Sequence, residues 1–116
     1  MPNLQTHILE IIRLTSTSLP ADVEIALASA LEKEQAGSAG QSILRSILKN
    51  IEIARKTSTP ICQDTGTPTF FVSYPRSFSM IDLEKDIRSA VVEATERNYL
   101  RPNAVDSLTG RNSGNN

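Results

Sequence analysis

The chain has 116 residues, of which 39% are hydrophobic and 22% charged, and its 12 Lys and Arg against 13 Asp and Glu leave a formal net charge of -1. That length suits one ordinary soluble domain burying roughly two-thirds of its unfolded surface, and the balanced charge supplies no field to draw it to nucleic acid or an anionic membrane. Apolar stretches such as Ile11-Ile12 and Phe70-Phe71-Val72 fall far short of the roughly 18 residues of a membrane span. Met1 to Glu10 shows no basic and apolar leader, and a single Cys excludes an internal disulfide, so the expected compartment is the cytoplasm.

Asn3 to Thr17 sets Leu4, Ile8, Ile11 and Ile12 at spacings of three and four, which predicts an amphipathic helix. Ser18-Leu19-Pro20 supplies a cap-type residue and a proline near a helix start, and Val23, Ala26, Leu27, Ala30 and Leu31 carry a second helix toward Gly37. A third runs from about Gln41 to Lys56 on Leu44, Ile47, Leu48, Ile51 and Ala54; Ile43 and Ile53 broaden its stripe, so it is expected to be the most buried of the helices. Thr57 to Pro68 breaks the periodicity with two prolines, a glycine and five Thr or Ser residues, and reads as an ordered loop. Thr69 to Tyr74, aromatic and β-branched between Pro68 and Pro75, fits a short strand. Ser79 with Asp82 resembles a capping box opening a fourth helix, which ends near Asn98. Beyond Leu100 the sequence is polar and loop-like. The expected class is therefore α+β and predominantly helical, with four helices and at least one strand, Thr69 to Tyr74.

The segment with most chemistry is Pro60-Ile61-Cys62-Gln63-Asp64-Thr65-Gly66-Thr67-Pro68. A thiol, a carboxamide and a carboxylate stand in consecutive positions on backbone restrained by prolines and given freedom by a glycine. Cys62 is suited to bind a metal or attack an electrophile, Gln63 to orient a substrate, and Asp64 to accept a proton or position a base. On composition alone, the same loop reads as a turn with Cys62 as a buried small hydrophobe and Asp64 satisfying local backbone N–H groups. Elsewhere, His7 and the charged Lys49 and Arg111 read as structural or solvated. Thr109 and Ser113 with Gly110 and Gly114 read either as an anion-binding nest or as a loop end. Asn103 and Asp106 are ordinary turn residues after Pro102.

Pro60-Ile61-Cys62-Gln63-Asp64-Thr65-Gly66 resembles the signature of the class I, iron-sulfur-dependent fumarases and of the α subunit of L-tartrate dehydratase. A second block, Leu100-Arg101-Pro102-Asn103-Ala104-Val105-Asp106 with Leu108 to Asn116, resembles the arginine-containing segment of the same family. The resemblance implies a hydro-lyase that dehydrates a 2-hydroxy dicarboxylate, with malate and fumarate the first expectation and tartrate the next. It implies a 4Fe-4S cluster held by three cysteines, with Cys62 a metal ligand, Gln63 and Asp64 facing the substrate, and Arg101 clamping a carboxylate through its planar fork. The open iron acts as a Lewis acid on the departing hydroxyl.

The chain departs from this pattern in holding one Cys, so the cluster is expected to be completed by cysteines not present in it, supplied by the remainder of the enzyme or a β subunit, and the isolated chain is expected to be inactive. The Gly- and Asn-rich ending likewise reads as the truncated end of an N-terminal piece, 1–116, of a larger hydro-lyase domain, with homo- or hetero-oligomerisation expected. Two further readings remain open: a non-catalytic helical assembly module in which Cys62 is structural, and, remotely, a thiol hydrolase pairing Cys62 with His7.

Overall fold

The computed structural model describes residues 3–114 and Asn116. Four helices follow one another as α1 (Leu4–Thr17), α2 (Ala21–Lys33), α3 (Ala39–Thr57) and α4 (Met80–Glu96). Three of them begin on a side-chain cap: Asn3, Ser38 and Ser79 accept the backbone N–H of Thr6, Gln41 and Asp82, each satisfying a donor that the first turn leaves without a helical partner. Ser79 thus performs the capping role anticipated from its spacing to Asp82.

The core lies between α1 and α4. Ile8, Leu9 and Ile12 meet Ala90, Val91, Ala94 and Leu100, with Leu4, Phe70, Ile87 and Tyr99 packed around them. Ala90 and Ala94 are 0% exposed, and their position four apart puts two small side chains on one face, letting the α1 side chains approach the α4 backbone closely. Gln5 Nε2 donates to Glu93 Oε2 at 3.0 Å across the same pair. Ile12→Ala removes a buried side chain from this seam and is expected to lower unfolding stability by about 2–5 kcal/mol. Urea denaturation checks it; a change under about 0.5 kcal/mol, the size of an ordinary surface substitution, would deny the seam its role.

The second pair is α2 with α3, joined by an ion pair between Arg55 and Glu24 and touching the first pair through a smaller α1–α3 contact. The radius of gyration is 17.7 Å, against about 13 Å for a compact chain near this length, so the single compact unit suggested by length is instead two helix pairs set side by side. The expectation that α3 is the most buried helix also fails: it buries Ile51 and Ala54, while Ile43, Ile47 and Ile53 are exposed. Its broad stripe has only α2 and a short stretch of α1 to pack on, too little to cover it.

The α+β class is corrected as well. Among the described residues there is no strand; Thr69 to Tyr74 is irregular, and the sole β pairing there is an isolated antiparallel bridge between Val105 and Asn112. Strand propensity is realised only against a partner strand, and none is adjacent. Phe70 packs against the α1–α4 core instead, and Phe71 is 96% exposed. Among the described residues no helix is long and apolar enough to cross a membrane.

Candidate active site

The Cys62 loop is fastened to both helix pairs just before the thiol. Ile61 donates its N–H to the Ser16 carbonyl at the end of α1 (3.0 Å), and its own carbonyl accepts from Asn50 Nδ2 on α3 (2.8 Å). Upstream, α3 ends with Ser58 in the left-handed region (φ 52°, ψ 45°), where Thr59 N–H returns to the Ala54 carbonyl (3.1 Å). Pro60 is buried. The chain therefore reaches Cys62 from a pinned peptide, and the thiol is free and exposed. This corrects the reading of Cys62 as a buried small hydrophobe. Asn50→Ala deletes the α3 fastening and is expected to cost about 1 kcal/mol and to speed amide exchange through residues 61–66. Unchanged exchange there would show that Ser16 alone holds the loop.

Past the thiol, Asp64 Oδ1 accepts the Gly66 N–H (2.8 Å) in a turn that holds Gly66 at φ 68°, a conformation that disfavours a side chain although nothing lies within 4 Å of a Cβ built there. The same oxygen accepts Asn103 Nδ2 (3.0 Å), which also reaches Thr65 Oγ1 (3.2 Å); Thr65 Oγ1 in turn accepts the backbone N–H of Arg101 (3.1 Å). Two segments nearly forty residues apart thus meet at Thr65. Arg101 is placed there by the end of α4, where Tyr99 and Leu100 donate to the Ala94 carbonyl and Leu100 enters the core. The Arg101 carbonyl accepts Asn116 Nδ2 (2.6 Å), while its Nε is buried without a hydrogen-bond partner among the described residues.

Cys62 and Asp64 line one cavity of about 490 Å³ with Ile11, Thr15, Leu19 and Phe70. Asp64 also lines a neighbouring cavity of about 560 Å³ with Asn103, Glu84 and Arg88. Gln63 is exposed, and neither it nor Arg101 lines either space. The structure thus brings Cys62 and Asp64 to one cavity and brings Arg101 to them through its backbone.

Residues 5–116 match the model of the Fumarate hydratase (Fumerase) family. The chain belongs to that family. It is 43% identical over its whole length to a putative fumarate hydratase class I of Geobacillus stearothermophilus, of which it spans 23%. It is 36% identical over 90% of its length to a putative L(+)-tartrate dehydratase subunit alpha of Methanocaldococcus jannaschii, and 35% identical over 87% to the L(+)-tartrate dehydratase subunit alpha of Escherichia coli (strain K12), spanning 38% and 35% of them. The chain therefore covers well under half of each relative.

For a Fumerase family chain, the placement of Cys62 is compatible with a ligand to a metal group shared with other polypeptide. The residue is exposed on a fastened loop and lines a cavity. Among the described residues, however, no three His, Cys, Asp or Glu side chains gather closely enough to hold a metal by themselves. The chain offers one thiolate ligand, and a cluster would need the rest from elsewhere.

The other sequence candidates separate cleanly. His7 is exposed in the first turn of α1 with Nδ1 3.0 Å from the Asn3 carbonyl, about 13 Å along the helix from Ser16 at a rise of roughly 1.5 Å per residue, which removes the pairing with Cys62. The supposed nest is filled from within. Asp106 Oδ1 accepts Thr109 N–H (2.7 Å), Thr109 Oγ1 (2.9 Å) and Leu108 N–H (3.0 Å), while Gly114 N–H goes to Asn112 Oδ1 (2.8 Å). Asn115, part of the second motif block, lies outside the described residues. Sequence reasoning passed over Thr65, Asn103 and Asn116 as loop and turn polar groups, their one available signal being their place inside the two motif blocks, and passed over Asn50 as a polar position within the third helix, where no signal marked it.

The Thr109 backbone N–H, then the Thr109 hydroxyl and the Leu108 N–H, hold the Asp106 carboxyl below its ordinary value of 3.8. A lowered folded-state pKa stabilises the loop fully above 3.8, and that contribution is lost as pH falls below it through the folded value. The Leu108 and Thr109 amide proton signals are expected to move together in an acid titration below pH 3.8. In Asp106→Asn they should stay still; a matching step in that variant would assign the transition to another group.

Proposed function

We propose that this chain is the N-terminal part, 1–116, of a longer iron-sulfur hydro-lyase, and that its two motif blocks build one side of a site for a small 2-hydroxy dicarboxylate. The observation that carries the reading is the junction at Thr65, which ties the first block to the second: Thr65 accepts the Arg101 backbone N–H, and Asn103 bridges Thr65 and the Asp64 carboxylate. In this reading Cys62 is one ligand of a 4Fe-4S cluster completed by cysteines outside these residues. When bound, that cluster supplies a Lewis acid for the leaving hydroxyl. Asp64 accepts or relays a proton at its second carboxylate oxygen, Gln63 hydrogen-bonds the substrate, and Arg101 offers its guanidinium, with the partnerless Nε–H, to a substrate carboxylate.

The higher identity to the fumarate hydratase relative over the whole chain supports malate and fumarate ahead of tartrate. Exposed Ile25, Ile43, Ile47 and Ile53 on α2 and α3 support docking of the remainder of the enzyme or a β subunit, in a homo- or hetero-oligomer working in the cytoplasm. The isolated chain is inactive on this account. Malate dehydration, fumarate hydration and tartrate dehydration, assayed anaerobically on the whole protein, test it. We expect a higher kcat/KM for malate and fumarate than for tartrate. A preference for tartrate would reverse the substrate order, and turnover of none of the three would remove the hydro-lyase reading.

A further inference from the structure

We infer that Thr65 and Asn103 are a positioning pair that sets the Asp64 carboxylate and the Arg101 backbone within the proposed hydro-lyase site; the inference rests on that reading of the function. Thr65 Oγ1 accepts from Arg101 N (3.1 Å) and Asn103 Nδ2 (3.2 Å), and Asn103 Nδ2 is also shared with Asp64 Oδ1 (3.0 Å). Gly66 N–H occupies the same Asp64 oxygen at 2.8 Å. Both bonds fall on Oδ1, which fixes the carboxylate plane and leaves Oδ2 as the atom for a ligand in the adjoining cavity. Arg101 is held at both ends of its residue, by Thr65 at N and by Asn116 Nδ2 at O (2.6 Å), whereas its guanidinium Nε is not bonded to the protein. The backbone is therefore set while the buried Nε–H has no hydrogen-bond partner among the described residues. Thr65 and Asn103 are both partly buried, so the two bonds to Thr65 Oγ1 are partly shielded from competing water, while the bond to the exposed Asp64 is not.

This role turns on an oxygen and not on volume, which makes it separable from packing. Thr65→Val keeps the shape and deletes the acceptor for two donors; Thr65→Ser keeps the acceptor and deletes a methyl group. Displacing catalytic groups by about 1 Å costs up to roughly 100-fold in rate. In the whole enzyme, assayed anaerobically with malate, Thr65→Val is expected to lower kcat/KM by about 10- to 100-fold, with KM raised as well as kcat reduced, and Thr65→Ser to restore most of it. Loss of folded protein alone would reduce apparent kcat and leave KM unchanged. Amide exchange at Arg101 gives a readout independent of turnover: faster in Thr65→Val, near wild type in Thr65→Ser. A Thr65→Val enzyme with wild-type kcat/KM, or a Thr65→Ser enzyme damaged as badly as Thr65→Val, overturns the inference. Should Thr65→Val not fold, Asn103→Ala decides in its place: kcat lowered about 10-fold supports the pair, and wild-type kcat overturns it. A wild-type enzyme that turns over no dicarboxylate, with the Val and Ser exchange difference intact, would instead defeat the hydro-lyase reading.

Discussion

Cys62→Ala is expected to abolish dicarboxylate dehydration by the whole enzyme, a loss well beyond the 10- to 100-fold that removing a partner of a metal ligand costs. The expectation follows from where the thiol stands. Ile61 is bonded on one side to Ser16 of α1 and on the other to Asn50 of α3, so the backbone entering Cys62 has little freedom, yet the sulfur itself is exposed beside a cavity. A cysteine kept for packing would be buried, and its loss would cost stability. Here truncation removes few contacts, so the variant should fold with a near-unchanged unfolding midpoint while losing activity. Cys62→Ser is expected to fail similarly, because a neutral hydroxyl is a poor substitute for a thiolate at iron. Wild-type turnover in either variant would return Cys62 to an incidental role and restore the assembly-module reading.

Asp64→Asn carries the second large effect. Asparagine keeps an oxygen able to accept from Gly66 N–H and Asn103 Nδ2, so the turn and the junction with the second motif should persist. What disappears is the negative charge and the capacity to take up a proton. A reduction of kcat by roughly 10²–10⁴-fold is expected, the range of general acid–base catalysis, with cluster content unchanged. Asp64→Ala should show the same fall and, in addition, faster amide exchange at Gly66. The comparison separates the two functions of one carboxylate: Oδ1 organises the loop, and Oδ2 is the atom proposed to meet the ligand. Equal kcat in Asp64→Asn and wild type would leave Asp64 as a purely structural turn residue.

The four helices were legible because each carries its apolar residues at helical spacing, and Ser79 announced its cap before the fourth. What periodicity does not encode is which stripe finds a partner. Ile43 and Ile53 made α3 look central, whereas the core formed where Ala90 and Ala94 let α1 lie close to α4, a consequence of small side chains that hydropathy undervalues. Thr69 to Tyr74 has strand composition, but composition cannot supply a neighbouring strand, and the segment settled with Phe70 on the core and Phe71 in solvent. In the site, residue type and motif singled out Cys62, Gln63, Asp64 and Arg101. The hydrogen bonds linking Asp64 to the Arg101 backbone were invisible because Asn103 and Thr65 are ordinary loop residues until the fold brings positions 65 and 103 together. The choice between nest and loop end stayed open in the sequence for a related reason: glycines and Thr109 do gather backbone donors, yet Asp106 in the same loop takes those of Leu108 and Thr109.

The central claim is that the Cys62 sulfur binds iron, and differential alkylation of the whole enzyme measures it most directly. Treated with iodoacetamide before anaerobic assembly with iron and sulfide, exposed Cys62 is expected to be modified almost completely; after assembly it should be protected, and release of the cluster should expose it again. Full modification of Cys62 in an enzyme that has assembled its cluster and turns over malate would contradict the account.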